Sequence, residues 1–112
     1  MAQQFTLDIL KRLIAFDTTS CHSNLDLMHY IQDYLQAYGV NSELIYDEQR
    51  TKANLYSTIG PLNQPGIMLS GHTDTVPVTG QNWDTDPYQL TEREGLLYGR
   101  GSCDMKGFIA SV

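Results

Sequence analysis

The chain has 112 residues, 41% hydrophobic and 18% charged, a balance that fits a globular domain or part of one rather than a disordered segment. Thirteen acidic against seven basic side chains give a net charge of −6, and the basic residues are scattered apart from Lys11-Arg12, so nothing grips a phosphate backbone or an anionic membrane. No apolar run approaches the ~20 residues of a membrane span, the start Met-Ala-Gln-Gln-Phe lacks the form of a secretory signal, and two cysteines (Cys21, Cys103) make no disulfide scaffold. A cytoplasmic acidic enzyme, or part of one, is the expectation.

Phe5, Ile9, Leu13 and Phe16, flanked by Leu10 and Ile14, recur at helical spacing and predict a helix over roughly Thr6–Ala15. Asp17-Thr18-Thr19-Ser20 breaks that period with short polar residues and reads as a plain loop. A second helix is predicted from an Asn24 N-cap, with Leu27, Ile31, Leu35 and Tyr38 as its buried stripe and Gly39 as its left-handed terminator. Val40 to Tyr46 and Leu55 to Ile59 read as strands, with Arg50-Thr51-Lys52 near the turn between them. Ile67-Met68-Leu69, bounded by Pro65-Gly66, is a short apolar run of the kind a strand covered on both faces shows. Leu90 to Tyr98 predicts a hairpin turning near Glu94-Gly95, and Met105 to Val112 predicts a further helix. Helices followed by strands in this order predict an α/β domain on a central sheet.

Between Ser70 and Tyr88 the chain turns polar and rich in Thr, Asp and Pro. Open α/β sheets place ligands in loops that follow central strands. Here lies Ser70-Gly71-His72-Thr73-Asp74-Thr75-Val76-Pro77, and thirty residues further comes Asp104 within Gly99-Arg100-Gly101-Ser102-Cys103-Asp104-Met105-Lys106-Gly107. In extended backbone His72 and Asp74 point to the same side, so the carboxylate can take the N–H of the ring nitrogen that a metal does not bind. Imidazole nitrogen with carboxylate oxygen suits zinc or a similar first-row ion, and a carboxylate can bridge two cations. Taken singly, His72 reads more readily as a hydrogen-bonded structural histidine than as a ligand, and Asp104 as a helix cap. His22 and His29 read as surface or partly buried residues, and Cys103 as a small packing residue. Ser70, His72 and Asp74 alternate along one strand and cannot converge as a hydrolytic triad. Asp104 stands where a dinucleotide loop needs its third glycine, and Met105-Lys106-Gly107 has the wrong order for a phosphate loop.

Gly71-His72-Thr73-Asp74-Thr75-Val76-Pro77, together with Trp83, Asp86-Pro87-Tyr88, Leu97-Tyr98-Gly99 and Gly101-x-x-Asp104-Met105-Lys106-Gly107, resembles the zinc-dependent aminoacylase and carboxypeptidase family. The resemblance covers nearly the whole chain. It implies a zinc-peptidase-like catalytic domain with a central mixed or parallel sheet flanked by helices. Residues 1–112 would form the N-terminal portion of that metal-binding domain; the remainder and a lid and dimerisation domain would lie elsewhere. It further implies a pair of zinc ions, for which cobalt could substitute. His72 would be a terminal ligand and Asp104 a bridging one, with a cis peptide bond after it. Asp74 would be the catalytic-site carboxylate that holds the His72 ring without touching metal.

The implied activity is hydrolysis of the amide of a small N-acyl amino acid, with N-acetyl-L-ornithine the expected substrate and arginine biosynthesis its setting. The expected protein is a cytoplasmic homodimer with no nucleic-acid or membrane partner. Its general-base glutamate and remaining ligands are expected outside this sequence, so that the 112 residues alone neither turn over substrate nor hold zinc tightly. The same chemistry on another acyl group gives a desuccinylase or a dipeptidase, and a non-catalytic structural or binding module is the reading from a different class. No residue here is assigned to substrate binding.

Overall fold

The computed structural model describes residues 2–112. It is α/β, with three helices, α1 (Ala2–Ala15), α2 (Leu25–Ala37) and α3 (Lys106–Ser111). The four strands are β1 (Ser42–Tyr46), β2 (Ala53–Ser57), β3 (Thr91–Arg93) and β4 (Leu96–Tyr98). Among the described residues no helix is long and apolar enough to cross a membrane. The chain divides into two compact units, one of Ser23–Met68 and one of Met1–His22 with Leu69–Val112.

In the Ser23–Met68 unit, α2 lies against a two-stranded antiparallel sheet. β1 and β2 pair Leu44 with Leu55 and Tyr46 with Ala53, the face that is at least half-buried, while Ile45 and Tyr56 on the other face are exposed. The loop at 47–52 is built on Asp47, whose Oδ1 accepts the amides of Thr51 and Lys52 at 2.8 and 3.0 Å. Asn24 holds the N-cap position of α2 without capping it. Its side chain instead receives the Ala53 amide at Oδ1 and donates to the Ala53 carbonyl, both at 2.9 Å, as a neighbouring strand would. α2 ends as expected at Gly39 (φ 75°), with Gly39 N–H on Gln36 O and Val40 N–H on Leu35 O, a Schellman closure. That closure uses Val40, so β1 starts at Ser42 rather than at Val40. The buried residues of α2 are Leu27 and Met28; Tyr38, predicted on the buried stripe, is 69% exposed because it caps the helix end. Ile67-Met68-Leu69 forms no strand. Ile67 is 91% exposed, since among the described residues no strand pairs with this run and its backbone has no ladder to join.

In the second unit, α1 packs on α3, with Leu10, Leu13, Ile14 and Ala110 buried. α1 starts four residues before the predicted Thr6, and Phe5 is exposed because the inward stripe is the Leu10, Leu13, Ile14 set. The predicted hairpin is present: Thr91 faces Tyr98 and Arg93 faces Leu96 across a two-residue turn, with Glu94 (φ 53°) and Gly95 (φ 75°) both left-handed. Thr18-Thr19-Ser20 is not a plain loop. Thr19 makes a parallel bridge with Thr75, and Thr18, Thr19 and Thr75 are all buried. Cys103, expected to pack, is exposed, as is Cys21.

Candidate metal site at His72 and Asp104

The site begins with the bridge between the chain after α1 and the polar tract after Leu69. Thr75 N–H donates to Thr18 O and Ser20 N–H to Thr75 O, both at 3.0 Å, and Thr18 Oγ1 donates to Thr73 O at 2.6 Å. These bonds draw the 72–75 backbone out beside α1. Gly71 lets the same tract lie close on α3: a Cβ there would stand 3.2–3.3 Å from Met105, Phe108 and Ile109 side chains. His72 is thereby set near the turn that leads into α3.

His72 Nδ1 lies 3.1 Å from the Asp74 carbonyl oxygen and 3.2 Å from Asp74 Oδ1. The other carboxylate oxygen, Asp74 Oδ2, accepts Ser20 Oγ–H at 3.0 Å. With Nδ1–H committed to Asp74, Nε2 is directed at Asp104 Oδ1, 2.9 Å away across 32 residues of sequence. The peptide bond between Asp104 and Met105 is cis. The Asp74 carbonyl, against the opposing effect of burial, raises the His72 pKa above its ordinary value, and the Asp104 hydrogen bond and the charges of Asp104 and Asp74 add to the rise. Imidazole and carboxylates are open to solvent, with His72 48% and Asp104 83% exposed at the side chain. Nε2 and Oδ1 thus face each other where a first-row cation would find one nitrogen and one oxygen donor.

The three site residues predicted from sequence thus come together. The donor types and the held tautomer fit zinc. Among the described residues no group of three or more His, Cys, Asp or Glu is arranged to hold a metal ion, so His72 and Asp104 would supply two donors of the about four a zinc ion takes. His22 is exposed and pairs with Asp17 at 3.1 Å, and His29 is exposed on α2.

Two contributors were not picked out from sequence. Ser20 orients the far oxygen of Asp74. Lys106 is 1% exposed, and its Nζ donates to Leu13 O at 2.9 Å and Phe16 O at 2.8 Å. Those two oxygens lie at and just after the end of α1, where carbonyls run short of intrahelical donors, and Leu13 O also accepts the Phe16 amide at 3.3 Å. Burial pushes the Lys106 ammonium down to about 8, with the charge of Asp17 opposing. The signal available for Lys106 was its place one turn before Ala110, on the inward stripe of α3. The flanking loop is pinned by Arg100, which donates to Gln81 Oε1 and lies 5.3 Å from the Trp83 ring, while Arg100 N–H bonds Pro87 O at 2.7 Å.

Residues 68–112, which hold His72, Asp74 and Asp104, match the model of peptidase family M20/M25/M40. The chain is 40% identical over 113 aligned residues to acetylornithine deacetylase of Pasteurella multocida (strain Pm70), covering 95% of this chain and 29% of that protein. To acetylornithine deacetylase of Proteus mirabilis (strain HI4320) it is 42% identical over 99 residues, covering 88% of this chain and 25% of the relative. The crystal structure of human carnosine dipeptidase 1 superposes with a TM-score of 0.83 at 28% identity, over 96% of this chain and 26% of that one. The chain therefore spans under a third of the length of the relatives it matches. Motif, fold and sequence likeness agree, and residues 68–112, with His72, Asp74 and Asp104, are a stretch of peptidase family M20/M25/M40.

Proposed function

We propose that this chain is the N-terminal portion of the metal-binding catalytic domain of a zinc-dependent amidohydrolase that removes the acetyl group from N-acetyl-L-ornithine. The observation that carries the reading is the His72 ring held between Asp74 at Nδ1 and Asp104 at Nε2. Asp74 keeps the Nδ1–H tautomer, which leaves Nε2 a lone pair for a cation and raises its basicity. Asp104 is the second donor, and its exposed carboxylate is free to bridge two cations. When bound, zinc would activate water and polarise the amide carbonyl. Ser20 and the Thr18–Thr75 bridge keep the ring from turning, so donors are in place before metal arrives. Sequence likeness to acetylornithine deacetylases supports the acetyl-ornithine substrate, and a cytoplasmic homodimer in arginine biosynthesis is the expectation that goes with that reading. Fold likeness to a dipeptidase supports peptide-bond hydrolysis as the second reading.

With two of about four zinc donors, the 112-residue chain is expected to bind zinc weakly and to show no turnover. Zinc titration followed by the ¹⁵N signals of the His72 ring tests the site. Asp104→Asn should abolish the zinc-dependent change of the ring signals, Asp74→Asn should weaken it about 10–100-fold, and His72→Ala should abolish zinc binding read by equilibrium dialysis. Zinc binding that survives His72→Ala and Asp104→Asn would refute the assignment. Hydrolysis of N-acetyl-L-ornithine, N-succinyl-diaminopimelate and a dipeptide by the full-length protein separates the substrate readings.

A further inference from the structure

We propose that Lys106 is a positioning residue: seated on the last carbonyls of α1, it sets the separation of His72 and Asp104. The proposal rests on the reading of His72 and Asp104 as metal ligands. The His72–Asp104 contact is solvent-exposed, and exposed ion pairs of this kind hold little geometry by themselves. The 2.9 Å separation therefore needs buried support, and a closed ring of contacts provides it. From Asp104 the chain runs two residues to Lys106, whose Nζ binds Leu13 O and Phe16 O. From Phe16 the chain runs to Thr18-Thr19-Ser20, which is hydrogen-bonded to Thr73, Asp74 and Thr75. Asp74 holds His72, and His72 meets Asp104.

The aliphatic stem of Lys106 contributes as well. Gly101 sits between that stem and Thr75: a Cβ there would stand 3.0 Å from Thr75 Cγ2 and 3.3 Å from Lys106 Cδ. The Lys106 amide also donates to Gly101 O at 2.8 Å. Both halves of the site, the tract at 72–75 and the turn carrying Asp104, thus lean on one buried side chain. An apolar residue of the same length would fill the space and remove the ammonium that ties the turn at Asp104 to Leu13 O and Phe16 O.

The test uses the ¹⁵N signals of the His72 ring at constant pH, with and without zinc, in the intact chain. Lys106→Met keeps the stem and removes the donors. It is expected to keep the far-ultraviolet circular dichroism of the parent while the Nε2 signal moves toward that of Asp104→Asn. Half-saturation of the zinc response should require about tenfold more metal, the scale on which ligand-orienting groups act. Lys106→Cys alkylated in denaturant with 2-bromoethylamine, in a Cys21→Ser, Cys103→Ser background, restores an amine of lysine length and should restore both readouts. A folded Lys106→Met with the parent's His72 signals and zinc response overturns the proposal. Should Lys106→Met not fold, Lys106→Arg decides: the planar guanidinium is expected to fold but displace Asp104, and parental His72 signals in it overturn the proposal. A parent His72 that ignores zinc, yet changes in Lys106→Met, refutes the metal reading and leaves the positioning role standing.

Discussion

Gly107→Ala sets local helix preference directly against tertiary packing. Gly107 is the second residue of α3. On an exposed helix this replacement stabilises by about 0.5–1 kcal/mol, because glycine loses more backbone freedom on folding. Here an added Cβ would stand 2.3 Å from the carbonyl oxygen of Ser102, against an ordinary contact that begins at 3.4 Å. The obstacle is backbone, so no rotamer change relieves it, and either α3 or the turn at Ser102 must give by about 1 Å. Overpacking of this kind costs about 1–3 kcal/mol. After the helix gain, a net loss of about 1–2 kcal/mol is expected, and each kcal/mol lowers Tm by about 4–8 °C in a domain of this size. Ser102 is two residues from Asp104, so the same shift should open the His72–Asp104 contact, and the zinc response of the His72 ring should weaken about tenfold or more. Thermal unfolding by circular dichroism and the zinc titration read the two effects. An unchanged or raised Tm would refute the packing argument.

Two further outcomes follow from single side chains. The Asp17 carboxyl is held below its usual value: burial opposes, but the Thr19 hydroxyl and amide bonds win, aided by His22. A depressed carboxyl contributes stability above its unfolded pKa and loses it as pH falls through the folded value. The stability gap between the parent and Asp17→Asn, measured by urea unfolding, should therefore shrink from about pH 5 downward, and a gap that widens on acidification would contradict the assigned bonds. Thr75 Oγ1 is buried with no hydrogen-bond partner among the described residues. Thr75→Val keeps the shape and both backbone bonds of the bridge, and should raise unfolding stability by about 1 kcal/mol, whereas a loss of that size would show that the hydroxyl has a partner.

Much of the local structure was legible because it depends on short-range chemistry. Gly39 ends α2, and Glu94-Gly95 turns the β3–β4 hairpin, since the required left-handed backbone is written in those residues and their neighbours. The site was legible for a related reason. His72 and Asp74 alternate within one extended tract, and Asp104 stands in a motif whose resemblance to a metal-dependent family pairs it with them.

Where sequence reading failed, the deciding partner lay far along the chain. Asn24 looks like a helix cap, but Ala53, 29 residues on, takes its amide. Ile67-Met68-Leu69 has the composition of a covered strand, yet a strand exists only where another backbone completes its ladder. Thr18-Thr19-Ser20 reads as a polar loop until Thr75 arrives as its parallel neighbour. The amino-acid order by itself determined the end of α2 at Gly39 and the turn of the β3–β4 hairpin, both consequences of side chains acting on their own few residues of backbone. Tertiary structure alone decided that Lys106 spends its charge on the end of α1, because a buried ammonium takes whichever carbonyls the fold brings within 3 Å, and Leu13 and Phe16 are some ninety residues away in sequence.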